Sequence, residues 1–141
     1  MNKIIILLTL LIIIPTVSAN YNSILDIKET AIELTQNKEL DDQIYMIDLY
    51  LWNLNNGSYA YSKSRYNDLD YFWKTGIGDC TEIARVKKIM YRAIGLKTQY
   101  THGKVNGTKH DYVEYHNGTG WDSTEYWYSN YTLRRVGYGI W

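Results

Sequence analysis

Apolar residues recur every three to four positions in the first two thirds of the chain and every two positions further on. Ile24, Ile27, Ala31 and Leu34 share one helical face between Ser23 and Leu34. After a polar break from Asn37 to Asp42, Ile44, Ile47 and Leu51 mark a second amphipathic helix. Asp41 or Asp42 is its expected cap, and Asn55-Asn56-Gly57 its expected end. Tyr59, Tyr61 and Tyr66 fall in a turn-rich connector, followed by the aromatic patch Tyr71-Phe72-Trp73. A third helix opens where Asp79 and Glu82 have the spacing of a capping box. Ile83, Val86, Met90 and Ala93 continue it at helical spacing, and Gly95 supplies the stop.

Beyond Gly95 the period shortens to two. Leu96 to His102 alternates as a strand, Asn106-Gly107 is a strong hairpin signal, and His110 to Tyr115 reads as the returning strand. Its alternation sets His110, Tyr112 and Glu114 on one face and Asp111, Val113 and Tyr115 on the other. A second turn at Asn117 to Gly120 leads to Trp121-Asp122-Ser123-Thr124. Helices followed by an antiparallel meander, with one helix laid on the sheet, predict an α+β domain.

The N-terminus has another character. Lys3, the apolar run Ile4 to Ile14, and Pro15 to Ala19 form the three parts of a secretory signal, with cleavage expected after Ala19. The run is shorter than the roughly 20 apolar residues of a spanning helix, and no later segment could cross a bilayer. The expected organisation is a signal at 1–19 and one domain at 20–141. That domain divides into a helical part at 20–56, a connector at 57–77, a core at 78–126 and a C-terminal tail or strand at 127–141. Removal of Lys3 takes Lys+Arg from 15 to 14 against 15 Asp+Glu, a net charge of −1. Such a balance argues against an electrostatic nucleic-acid binder. Sequons at Asn56, Asn106, Asn117 and Asn130 are glycosylation candidates on an exported chain.

The chain has one cysteine, which cannot form an internal disulfide. Cys80 falls in the first turn of the third helix, where unpaired N–H groups and the helix dipole favour an anion. That setting lowers a thiol's pKa and makes it nucleophilic. Gly76 and Gly78 allow the backbone before it to turn sharply. A thiol nucleophile needs a base, and the base an orienting group. His110 and Asp122 follow in that order on successive strands, close enough in sequence for adjacency across a ladder. The backbone N–H of Cys80 is a natural oxyanion donor.

Rival chemistries are weaker. His102, His110 and His116 lack a tight zinc spacing, so no metal is expected. Glu82 and Glu114 could suggest a glycosidase pair, but Glu82 already has a capping role. Arg134-Arg135 is a small basic patch that reads as solvated. The 15 tyrosines and five tryptophans either fill a small core or offer stacking surfaces, which keeps a non-catalytic binding module as the competing class.

Gly78-Asp79-Cys80, Arg92 to Leu96, His110-Asp111-Tyr112-Val113-Glu114 and Gly120 to Thr124 together resemble the core of the transglutaminase-like superfamily of papain-like cysteine enzymes. Tyr50-Leu51-Trp52 and Tyr59 resemble the helix and aromatic that precede that core, and the resemblance spans Asp42 to Tyr126. It implies a papain-like fold with Cys80 as nucleophile, His110 as base, Asp122 as orienter and no cofactor. It also implies an upstream side-chain oxyanion donor, with Trp52 the first candidate and Trp73 the second. Many microbial members hydrolyse peptide or isopeptide bonds rather than cross-link glutamine to lysine. One branch, the pseudomurein endoisopeptidases of methanogens and their viruses, cuts cell-wall isopeptides. The expectation is therefore an exported cysteine hydrolase of a peptide or cell-wall peptide. Acyl transfer and a binding module on the same fold are the alternatives.

Overall fold

The computed structural model describes residues 23–56, 68–105, 108–129 and 132–137, and beyond Ser123 only the course of the backbone. The signal at 1–19, the connector tyrosines 59, 61 and 66, the Asn106-Gly107 turn and the Asn130 sequon lie outside the described residues.

Among the described residues four helices come first: α1 at residues 23–35, α2 at Leu40–Asn55, α3 at Leu69–Thr75 and α4 at Cys80–Ala93. Five strands follow: β1 at Thr98–Val105, β2 at Thr108–His116, β3 at Trp121–Asp122, β4 at Thr124–Ser129 and β5 at Thr132–Gly137. β1, β2 and β3 form an antiparallel sheet in that order, and β4 pairs with β5 in a second ladder. The α+β layout is the one the periodicities predict, and the Asn106-Gly107 hairpin is framed by the pairing of Val105 with Thr108.

Two local expectations are corrected. Asp41 and Asp42 do not cap α2, which starts earlier at Leu40 behind Glu39, and both acids lie in its first turn. There their charge favours the positive end of the helix dipole. The aromatic patch Tyr71-Phe72-Trp73 is not part of a connector but the middle of α3. That helix is capped by Asp68, whose side chain accepts from the Tyr71 N–H at 2.9 Å. In the segment expected as a tail or strand at 127–141, β4 and β5 pair, which is the strand alternative.

The core lies where α1, α2 and α4 meet each other and the sheet. Ile27 and Ala31, Ile44, Ile47 and Leu51, Phe72, Ala84, Val86, Met90 and Tyr91, and Val113 and Tyr115 are buried together. α4 lies on the face of β2 that carries Val113 and Tyr115, and the Tyr91 and Tyr115 rings meet edge to face at 5.7 Å. Its buried side is rotated from the expected one, with Ile83 and Ala93 only packed against the core. That buried side includes an ion pair. Lys87 and Asp48 are 4 % and 6 % exposed, and Lys87 Nζ lies 2.6 Å from Asp48 Oδ1. Tyr91 donates its hydroxyl to the same oxygen at 3.3 Å, and the Lys87 ammonium lies 5.5 Å from the centre of the Tyr91 ring. This network joins α2 to α4 through groups that a hydropathy pattern counts as surface.

Removing one partner of such a pair leaves a buried, uncompensated charge, at about 3–5 kcal/mol. Lys87→Met should therefore lower the stability by about that amount in urea unfolding, and Asp48→Leu combined with Lys87→Met should recover most of it. A single substitution costing under about 1 kcal/mol would show the pair to be solvated.

Candidate active site at the start of helix α4

Cys80 is the first residue of α4, and the capping box expected around it is present. Asp79 Oδ1 accepts from the Thr81 N–H at 2.8 Å, and the Asp79 N–H donates to Glu82 Oε2 at 3.0 Å. These bonds satisfy donors that a helix start leaves open, and they place the half-buried thiol at the positive end of the dipole.

The loop before the thiol is held from α2. Asn55, buried at the last position of that helix, donates from Nδ2 to the Gly76 carbonyl at 2.9 Å and to that of Gly78 at 3.4 Å. Gly76 has φ +71°, and a Cβ there would lie 1.9 Å from the Leu54 carbonyl oxygen. At Gly78 a Cβ would lie 2.7 Å from Phe72 Cδ2 and 3.1 Å from Glu82 Cβ. The two glycines let α2 and α3 close on the loop that delivers Cys80.

The pairing register locates the other expected residues. His110 stands across from Gly103 and Asp122 across from Tyr115. Adjacency of His110 and Asp122 across one ladder is therefore corrected: the position facing Asp122 is five residues further along β2, about 17 Å at strand rise. The two-residue alternation also puts them on opposite faces. The reason is the tight turn, in which Asn117 Oδ1 accepts from Thr119 and Gly120 N–H groups, both at 3.0 Å. It brings β3 back at once, so that Asp122 meets the end of β2. Asp122 Oδ2 accepts from the Tyr115 hydroxyl at 3.3 Å and its Oδ1 from the Ser123 N–H at 2.8 Å. The His110 ring stacks on Tyr112, with centroids 6.3 Å apart and planes 14° from parallel.

The carboxylate that meets the Cys80 turn is Asp111. Its Oδ2 accepts from Thr81 Oγ1 at 2.8 Å and from the Tyr100 hydroxyl at 2.6 Å, while Oδ1 meets His102 Nδ1 at 2.5 Å. Burial is the largest influence on Asp111 and pushes its pKa up, but the bonds from Tyr100, Thr81 and His102 outweigh it and hold the carboxyl below its usual range. Burial, and then the bond to Asp111, push the Tyr100 phenol up, so that it stays a donor. Sequence reasoning missed Asn55, Thr81, Tyr100, His102 and Asp111 as parts of this neighbourhood. The alternation of β2 had already separated Asp111 from His110, and the signal it lacked was which face α4 covers.

The remaining candidates are placed as follows. Trp52 lies half-buried near the end of α2, and Trp73 packs beside the core in α3 with its ring 5.7 Å from that of Tyr50. Glu114 is buried on the His110 face and accepts from Gln99 at 2.7 Å and Thr101 at 2.6 Å. His116 lies edge-on to Trp121 at 5.5 Å. Among the described residues no cluster of His, Cys, Asp and Glu could hold a metal, and no helix is long and apolar enough to cross a membrane.

A capped cysteine helix laid on an antiparallel sheet is the arrangement that the quoted motifs imply. The model of the transglutaminase-like superfamily matches residues 28–133. The chain belongs to that superfamily. The match begins in α1 and runs into β5, so most of α1 and all of α2 lie within the transglutaminase-like region along with the Cys80 helix and the three-stranded sheet. It makes the chain a member of a cysteine-based enzyme family. Searches of curated proteins and of solved structures gave no match.

Because the folded pKa of Asp111 lies below its unfolded value, its charge stabilises the fold at neutral pH. That contribution is complete above the ordinary carboxylate value of about 3.9 and is lost as pH falls through the folded value. The stability difference between wild type and Asp111→Asn should thus be constant above about pH 5 and shrink in more acid solution. A difference that does not change with pH would separate Asp111 from the acid response.

Proposed function

We propose that this transglutaminase-like domain is a cysteine hydrolase that cleaves a peptide or isopeptide amide bond. The observation that carries the reading is the position of Cys80 at a capped helix start in a chain of this superfamily. The Cys80 thiolate attacks the amide carbonyl, and the tetrahedral oxyanion forms beside the helix start, with the Cys80 N–H as its donor. Trp52 is the side-chain donor proposed from upstream, with Trp73 second. The carbon–nitrogen bond then breaks, His110 gives the proton it took from the thiol to the leaving amine, and a thioester remains. Water activated by the same imidazole releases the acid and restores the thiol; an amine in its place gives acyl transfer.

His110 is proposed as base and Asp122 as orienter from the order of the motifs and their fit to the superfamily. The register gives Asp122 the Tyr115 hydroxyl as a partner, and alternation sets His110 on the face of β2 opposite Asp111, so both roles rest on that order. We infer further that residues 1–19 direct export, that the chain acts outside the cell on wall-derived or other peptide, and that sequons such as Asn56 and Asn117 carry glycans. N-terminal sequencing of the exported chain should start at Asn20.

Cys80→Ala should abolish amine release from a panel of peptide and isopeptide substrates while leaving the circular dichroism spectrum and the melting temperature unchanged. Equal behaviour of wild type and variant across the panel would favour the binding-module class. Asp122→Asn should slow turnover by at least about tenfold, equivalent to about 1.4 kcal/mol of barrier. An unchanged rate, or a loss matched by unfolding, would remove Asp122 from the site.

A further inference from the structure

Resting on the reading of Cys80 as nucleophile, we propose that Asp111 is a positioning residue for the thiol. Through Thr81 it ties the first turn of α4 to β2, and so fixes where the sulfur sits against the strand that carries His110. The capping box acts within α4 alone: Asp79 and Glu82 determine where the helix begins, not where its tip lies over the sheet. The Thr81–Asp111 bond spans 30 residues and crosses from helix to sheet at the position next to Cys80. Asp111 is also the residue after His110, so one hydrogen bond links the neighbours of both reacting groups. A slip of β2 by one residue would break it.

The carboxylate is itself held firmly. Tyr100 and His102 sit on β1 on the same face, and His102 pairs with Asp111 across the ladder. Tyr100 shares Oδ2 with Thr81, and His102 takes Oδ1, so both oxygens are engaged. The Thr81 side is buried, with 4 % of the residue exposed, while the His102 side chain is 74 % exposed and closes the network at the surface. Arg85, one turn further along α4, acts electrostatically on Tyr100 from the helix side.

Charge and position have opposite signs here, which makes the proposal testable. Asp111 is an anion near a thiol that must ionise, so its charge by itself disfavours the thiolate. Were charge its only effect, Asp111→Asn or Asp111→Ala would speed alkylation of Cys80. As a positioning residue, its loss slows alkylation. Thr81→Val removes the tie with no change of charge and little change of shape. The rate of alkylation by iodoacetamide is measured at pH 6 and across pH 5–9, on protein shown to be folded at that temperature.

Thr81→Val and Asp111→Ala should each reduce the rate at pH 6 by roughly tenfold, since displacement of a reacting group by an ångström can cost up to about a hundredfold. Thr81→Ser, which keeps the hydroxyl, should restore it to within about twofold. A purely structural tie would lower the melting temperature of both variants and leave the pH profile of the folded protein unmoved, which overturns the proposal. Faster alkylation in Asp111→Ala also overturns it. So does a His102→Ala variant as unreactive as His110→Ala, because His102 would then be the partner of the thiol. Slow alkylation of the wild type below pH 8 would instead remove the nucleophile reading on which the proposal rests, a result distinct from all of these.

Discussion

A helix start is an electrostatic problem before it is a catalytic opportunity. The first N–H groups of α4 have no partner within the helix and must be satisfied from outside, and Asp79 and Glu82 do so reciprocally. Their carboxylates also stand close to Cys80 and oppose ionisation of its thiol, while the helix dipole favours it. The site depends on this balance. Asp79 and Glu82 each accept from the backbone, and Asp111 is engaged by three side chains, so each carboxylate has part of its charge answered by a hydrogen bond.

The surrounding fold serves to hold that helix start in place. Asn55 fixes the preceding loop from α2, Gly76 and Gly78 allow two helices to approach it, and the Asp48–Lys87 pair anchors α4 about two turns further on. Tyr91 against Tyr115 completes the attachment to the sheet. Both ends of the first two turns are thus set by polar groups in specific geometry, with apolar packing filling the space between. Polar ties of this kind are sensitive to sub-ångström displacement in a way that apolar packing is not.

Much of this was legible in the sequence where the signal is local. Capping-box spacing, the Asn106-Gly107 hairpin and the change of period from 3.6 to 2 depend on neighbours in the chain, and α4, β1 and β2 follow from them. The faces of β2 were legible too. What the pattern could not carry was any relation set by packing: that α4 covers the Asp111 face, that Lys87 is buried against Asp48, or that Asn55 reaches Gly76 across 21 residues. The position of Asp122 was lost for a related reason. A turn closed by Asn117 brings β3 back immediately, and a difference of a few residues in that turn decides which residue of β2 an aspartate faces.

The central claim is that the start of α4 holds Cys80 as an activated thiol. Titration of the thiolate by its ultraviolet absorbance, with Cys80→Ala as the blank, tests it in the folded protein without any substrate. The account predicts a midpoint below about pH 7, clearly under the free-thiol value of about 8.5. A midpoint at or above that value would mean that the capping carboxylates prevail over the dipole, and would contradict it.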